Sequence, residues 1–223
     1  MSNIAIVLCG SGRFDGSEIQ ESVLTLLHLS RAGAKVQCFA PDAPAWATCD
    51  GFSGEPTAEA PRNMLQEAAR IARADILPLS QAKAEHFDAL ILPGGNGAAR
   101  NLCDFAENGS EGSVIPDLQS LLDGFRAAAK PIGAICITPA IVALAFRGQG
   151  IRLTLGDAEQ EPTLSAIGTG QHWVTAAVDE IVVDEEAKVV STPAYILGPD
   201  IAAVDRGIGL LVQEVLRLAA ARS

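Results

Sequence analysis

Short apolar runs alternate along this chain with segments of helical period, and this restricts the fold more than any other feature. NIAIVLC (3–9), FDALILPGG (87–95) and PIGAIC (131–136) are brief, nearly continuous apolar stretches, and AKVQCFA (34–40) resembles them. Runs of this length bounded by turn residues read as strands buried on both faces. Between them lie helical patterns. Residues 18–32 repeat apolar side chains at Ile19, Val23, Leu26 and Leu27, and further helices are expected over 62–73, 116–129, 140–146 and 200–221. Strand and helix in alternation specify a mostly parallel α/β sheet. One domain over 1–223 is the expectation, with an excursion from the core at 41–61, PDAPAWATCDGFSGEP and its flanks. Residues 102–116 read as a long polar loop, IRLTLGD and HWVTAAV as later strands, and VVDEEAKVV as a hairpin with an acidic tip.

In open parallel sheets, ligands sit beyond the carboxyl ends of the strands. Three segments answer that description: CGSGRFDGSE after the first strand, PGGNG after Leu92, and the turn at Cys136. GSGRFDG lacks the dinucleotide GxGxxG spacing and has no following P-loop lysine, so no nucleotide cofactor is expected. Asn96 reads as a helix cap.

Cys136 allows two readings. A free cysteine is often buried as a small hydrophobe. A thiol at a strand-to-helix turn instead sits over a helix N-terminus, which favours the thiolate and lowers its pKa. In the second reading, the backbone N–H of Ile137 and one from Gly94 or Gly95 face an oxygen that becomes negative, an oxyanion hole. Glu18 and Glu21, three residues apart at a helix start, both lie near that end of the sheet. Either can serve as the acid–base partner, and a carboxyl buried beside a thiolate would be protonated and donate to it. Of the three histidines, His28 lies roughly 10 Å further along the helix than Glu21. His86 precedes a strand, at its wrong end. His172, in GTGQHWV, is the one histidine that can approach the site.

Composition removes several function classes. A formal charge of −11 argues against a nucleic-acid or anionic-membrane surface, and aromatics at 4% leave few stacking platforms. The longest nearly apolar run, 132–146, is interrupted by Pro139 and is too short to span a bilayer. The N-terminal MSNIAIVLCGSG lacks the basic region of a signal peptide. The five cysteines include no CxxC pair, so neither a zinc site nor a disulfide framework is expected, and a reducing, cytoplasmic location follows.

Taken together, DGSEIQESVL, PGGNGAARNL and GAICITPA resemble the ThiJ/PfpI superfamily of class I amidotransferase-like domains, and within it the ElbB branch. CFAPD (38–42), RNMLQEAARIARADILPL (62–79), VDEIVVDEEAKVVSTPAY (178–195) and the last helix extend the resemblance over nearly the whole chain. It implies a flavodoxin-like three-layer αβα sandwich, with Cys136 as elbow nucleophile and Glu21 as its carboxyl partner. The implied activity is a cofactor-free glyoxalase that converts glyoxal, or methylglyoxal, to the hydroxy acid; activity of this kind has also been read as deglycation of glycated amino groups. A homodimer acting on a small dicarbonyl, with no metal or cofactor, is implied as well. Two departures from the wider superfamily stand out: Ile137 occupies the position where PfpI-like proteins carry a histidine, and His172 is followed by Trp173 and Val174, not by the His-x-Glu of glutamine amidotransferases. A rival reading makes Cys136 a reversible oxidation sensor in a non-catalytic partner protein.

Overall fold

The computed structural model describes residues 1–198 and 200–221. The strands are β1 Asn3–Val7, β2 Lys35–Ala40, β3 Ile76–Pro78, β4 Ala89–Leu92, β5 Ile132–Ile135, β6 Arg152–Leu153, β7 His172–Trp173, β8 Val182–Asp184 and β9 Val189–Thr192. The helices are α1 Ile19–Arg31, α2 Met64–Ile71, α3 Ala98–Asn101, α4 Phe105–Asn108, α5 Pro116–Ala127, α6 Thr138–Ala145, α7 Thr163–Ala166 and α8 Ile201–Ala220. The main sheet has the order β3-β2-β1-β4-β5-β9-β8, parallel except for the β8–β9 hairpin. The mostly parallel sheet is the one the alternation of apolar runs specifies, and the whole is the flavodoxin-like sandwich that the resemblance implies.

The side-chain period of a strand explains the layers. Ala5, Val7, Leu90 and Leu92 point to one face, where they meet α5 and α6. Ile4, Ile6, Ala89 and Ile91 point to the other, where α1, α2 and α8 lie. Both faces are covered, which is why these strands are apolar at every position.

Several boundaries differ from expectation. β6 and β7 pair with each other as a separate two-stranded sheet. The stretch 102–116 contains α4, because Phe105 is buried and anchors a helical turn. Asn96 caps nothing: α3 begins after Gly97, and the Asn96 N–H instead donates to the Arg13 carbonyl at 2.6 Å. The excursion returns on itself through bridges at Pro44–Asn63 and Cys49–Pro56.

The apolar period of α1 marks the outside of the helix. Ile19, Val23 and Leu27 are exposed, whereas Glu21, Ser22, Leu24, Thr25 and Leu29 are buried. The buried hydroxyls bond back to the helix's own carbonyls, Ser22 to Glu18 and Thr25 to Glu21, each at 2.7 Å. Their polar groups are therefore satisfied without solvent.

Candidate active site

The carboxyl ends of β1, β4 and β5 bring the three glycine-rich or turn segments together. β5 ends at Ile135, and Cys136 follows with a φ of +60°, a left-handed conformation that costs a non-glycine residue roughly 1–2 kcal/mol. Three contacts hold it there. The Cys136 N–H donates to the Thr192 carbonyl at 2.9 Å. Thr138 Oγ1 accepts from the Ile135 N–H and donates to the Leu92 carbonyl, both at 2.8 Å, tying β4 and β5 to the start of α6. The left-handed turn at Cys136 is thus over-determined by its neighbours, which is what such a conformation needs in order to persist.

Glu21 is fully buried beside this thiol, and the two side chains are hydrogen-bonding neighbours. Its Oε2 accepts from the Gly94 N–H at 2.9 Å and its Oε1 from the Tyr195 N–H at 3.3 Å. Glu18, the N-cap of α1, accepts from the Glu21 N–H at 2.7 Å and donates its own N–H to the Gly94 carbonyl at 2.8 Å. Two backbone segments thereby fix the Glu21 carboxyl. Gly94 is required for a steric reason: a Cβ there would lie 2.5 Å from Cys136 Cβ and 2.8 Å from Glu21 Oε2.

Burial, aided by the charge of Glu18, raises the Glu21 pKa to about 7. Burial and the facing Glu21 also push the Cys136 thiol well above its ordinary value. The thiolate expected from the α6 N-terminus is therefore corrected. Desolvation and a like charge outweigh the dipole and the two N–H groups, from Gly95 and Ile137, that are directed at the sulfur. Near neutral pH the thiol therefore keeps its proton, and the Glu21 carboxyl beside it is the group that exchanges one.

The oxyanion donors divide unevenly. Gly95 and Ile137 present N–H groups at the thiol, but the Gly94 N–H is engaged by Glu21, so Gly94 supplies close approach and no free donor. His172 is not brought to this site. It pairs with Arg152, whose N–H bonds the Asp184 carboxylate at 2.9 Å. Asp184 pairs with Val189, and Val189 with Ile132, four residues before Cys136. His172 thus lies toward the amino ends of the strands, whereas Cys136 follows the carboxyl end of β5. His28 bonds Asp205 across the α1–α8 contact, and His86 is exposed. Sequence reasoning missed the backbone N–H of Tyr195 as an orienting group, since nothing in STPAY marks a donor that reaches α1. Among the described residues, no group of three or more His, Cys, Asp or Glu is placed to hold a metal ion, and no helix is long and apolar enough to cross a membrane.

No family model matches the chain. It is 40% identical over 225 residues to the ES1 protein homolog, mitochondrial, of Rattus norvegicus, covering 97% of this chain and 84% of that protein. It is likewise 40% identical to the human glutamine amidotransferase-like class 1 domain-containing protein 3, mitochondrial, with 97% and 83% covered. Among solved structures, an isoprenoid biosynthesis protein with an amidotransferase-like domain from Ehrlichia chaffeensis superposes with a TM-score of 0.90 at 32% identity, covering 98% of this chain and 99% of that one. Drosophila melanogaster DJ-1beta shares the fold alone, with a TM-score of 0.55 at 20% identity over 100% of this chain and 98% of its own. The cytoplasmic expectation is overturned by the curated relatives, which are named as mitochondrial proteins. Unpaired thiols indicate a reducing environment and do not distinguish one such compartment from another.

Proposed function

The chain belongs to the ElbB branch of the ThiJ/PfpI, class I amidotransferase-like superfamily, together with the ES1 proteins, and from that membership we propose that it is a cofactor-free glyoxalase with Cys136 as nucleophile. The observation that carries the reading is the buried Glu21, oriented by two N–H groups against a thiol at a strained elbow. Cys136 Sγ adds to the aldehyde carbon of an α-oxo aldehyde while Glu21 accepts the thiol proton and passes it to the new oxyanion, giving a hemithioacetal and leaving Glu21 ionised. The Gly95 and Ile137 N–H groups stabilise the oxygen that gains charge. Glu21 then moves the proton on the former aldehyde carbon to the neighbouring carbonyl carbon through an enediol, leaving a 2-hydroxy thioester. Water hydrolyses the thioester, releases the hydroxy acid and restores the thiol. One water is consumed, and the oxidation of one carbon balances the reduction of its neighbour, so no external oxidant is needed. A carboxyl that titrates near neutrality beside the thiol can take and return a proton at each step, which supports the assignment.

The proposed substrate is a small dicarbonyl, and the proposed assembly is a homodimer, for which the exposed Ile19, Val23 and Leu27 offer a contact stripe. Glyoxal turnover to glycolate, compared between the parent and Cys136→Ser, tests the reading. Turnover by the parent that Cys136→Ser abolishes supports it, and equal product from the two proteins rejects it.

A further inference from the structure

Six residues other than glycine have a left-handed backbone among the described residues, and four of them close ordinary turns. Arg73 and Ala74 follow α2, Ala129 follows α5, and Lys188 lies in the β8–β9 hairpin. The other two are Cys136, at a φ of +60°, and Ala194, at +45°. They stand beyond the carboxyl ends of β5 and β9, which pair in register from Ile132–Val189 to Ile135–Thr192. A left-handed φ is disfavoured for a residue with a Cβ, so a buried alanine that adopts it is held there by its surroundings.

The segment around Ala194 touches both members of the site. The Thr192 carbonyl accepts from the Cys136 N–H at 2.9 Å, and the Tyr195 N–H donates to Glu21 Oε1 at 3.3 Å. Ala194 and Tyr195 share a rigid peptide plane, so the backbone angles of Ala194 set where that N–H points. The turn is anchored on each side. The Thr192 hydroxyl donates to the Glu180 carbonyl at 2.8 Å, and the Ala194 carbonyl accepts from the Leu197 and Gly198 N–H groups at 3.2 and 2.9 Å. The Tyr195 phenol donates to Gln20, the neighbour of Glu21 on α1. Tyr195 thereby grips two consecutive residues of α1, one through its side chain and one through its main chain.

We propose that Ala194 is a positioning residue for Glu21, the counterpart after β9 of the Cys136 turn after β5: its left-handed conformation aims the Tyr195 N–H at the carboxyl and holds that carboxyl against the thiol. What the held pair then does rests on the glyoxalase reading, but the positioning is measurable without turnover. Burial raises the Glu21 pKa, and the Tyr195 N–H works against it, because a hydrogen bond to the carboxylate favours the charged form. The titratable groups that face Glu21 are Glu18, Cys136 and the Tyr195 phenol. The direct test replaces the Ala194–Tyr195 amide by an ester, which removes the N–H and keeps each of those groups. In an NMR titration of labelled glutamate carboxyls, with Glu21 identified by Glu21→Gln, its midpoint should lie higher in the ester than in the parent. Glyoxal kcat should fall about tenfold with KM little changed. Ala194→Val, β-branched and resistant to the left-handed region, should do the same. Ala194→Gly reaches that region freely and should stay within about threefold of the parent. Ala129→Val imposes the same strain at an exposed helix end and should move neither readout. An ester whose Glu21 titrates as in the parent overturns the inference. So does an Ala194→Gly that loses as much as Ala194→Val, since methyl packing and not the turn would then be at work. If Ala194→Val does not fold, the ester and Ala194→Gly decide. A raised Glu21 midpoint in the ester of a protein that turns over no glyoxal upholds the positioning and rejects only the glyoxalase reading.

Discussion

Helices α1 and α8 lie side by side on the same face of the sheet, yet they bury opposite kinds of surface. α8 turns Val204, Ile208, Leu211, Val212, Val215 and Leu218 inward, the ordinary arrangement for an amphipathic helix. α1 buries Glu21, Ser22 and Thr25 along with Leu24 and Leu29, and leaves Ile19, Val23 and Leu27 outside. One helix is held by apolar area. The other is held by hydrogen bonds it makes to itself and to two loops, and it delivers a carboxyl group to a thiol. Polar burial costs stability unless every group finds a partner, so the α1 pattern marks where the chain has function as well as packing to satisfy.

The largest expected effect tests the inward face of α1. Glu21→Gln keeps the shape of the side chain and removes its proton transfer, so glyoxal turnover should fall roughly 10²–10⁴-fold. Steady-state kinetics on the folded variant checks this, with Glu18→Gln as the control that should lose far less. A loss confined to Glu18→Gln would move the catalytic assignment to the other carboxyl.

The matching change on α8 should affect stability and leave the proton chemistry alone. Leu211 is fully buried, and Leu211→Ala should cost about 2–5 kcal/mol in urea unfolding. If Leu211→Ala were nearly silent, the contrast between the helices would fail on the apolar side.

A third test uses pH. The Glu21 pKa is raised from 4.5 to about 7 in the folded protein, so between those values the native state binds the extra proton. Stability should therefore fall as pH rises through that window and level off above it, by roughly 3 kcal/mol if Glu21 titrates alone. Glu21→Gln removes this slope. Unfolding free energies of parent and variant at pH 5 and pH 8 should diverge in that direction, and parallel curves would show that the carboxyl is not desolvated.

What was legible in the sequence follows the same division. β1, β4 and β5 were readable because both faces of the sheet are covered, so residues such as Ile4 and Ala5 are apolar on either side. The elbow at Cys136 was visible as the end of such a run. The burial of α1 was not, because its apolar period follows Ile19 and Val23, which point outward. Nor could sequence separate Gly94 from Gly95 as an oxyanion donor, since the difference is one hydrogen bond to a side chain 73 residues away. His172 stood before an apolar stretch, and only its pairing with Arg152, which bonds Asp184, shows that it lies toward the amino ends of the strands.

The smallest expected effect on the folded subunit concerns the outward face of α1. Val23 is 47% exposed, between Ile19 at 45% and Leu27 at 39%, one turn apart on a single stripe. If the stripe is only solvated surface, Val23→Lys should change unfolding stability by no more than about 0.5 kcal/mol and alter nothing else. If it is the centre of a two-fold contact, each copy meets the same stripe on its partner. A lysine there would then face its own symmetry mate across a low-dielectric contact, and the dimer should dissociate while each subunit stays folded. Sedimentation of parent and Val23→Lys at micromolar concentration separates these outcomes. A parent that sediments as a 23.1 kDa monomer would remove the dimer and leave the exposed stripe without a partner. A parent dimer unaffected by Val23→Lys would place the contact elsewhere. A dimer lost with unchanged subunit stability would show that the helix faces are inverted for two separate reasons, catalysis within and association without.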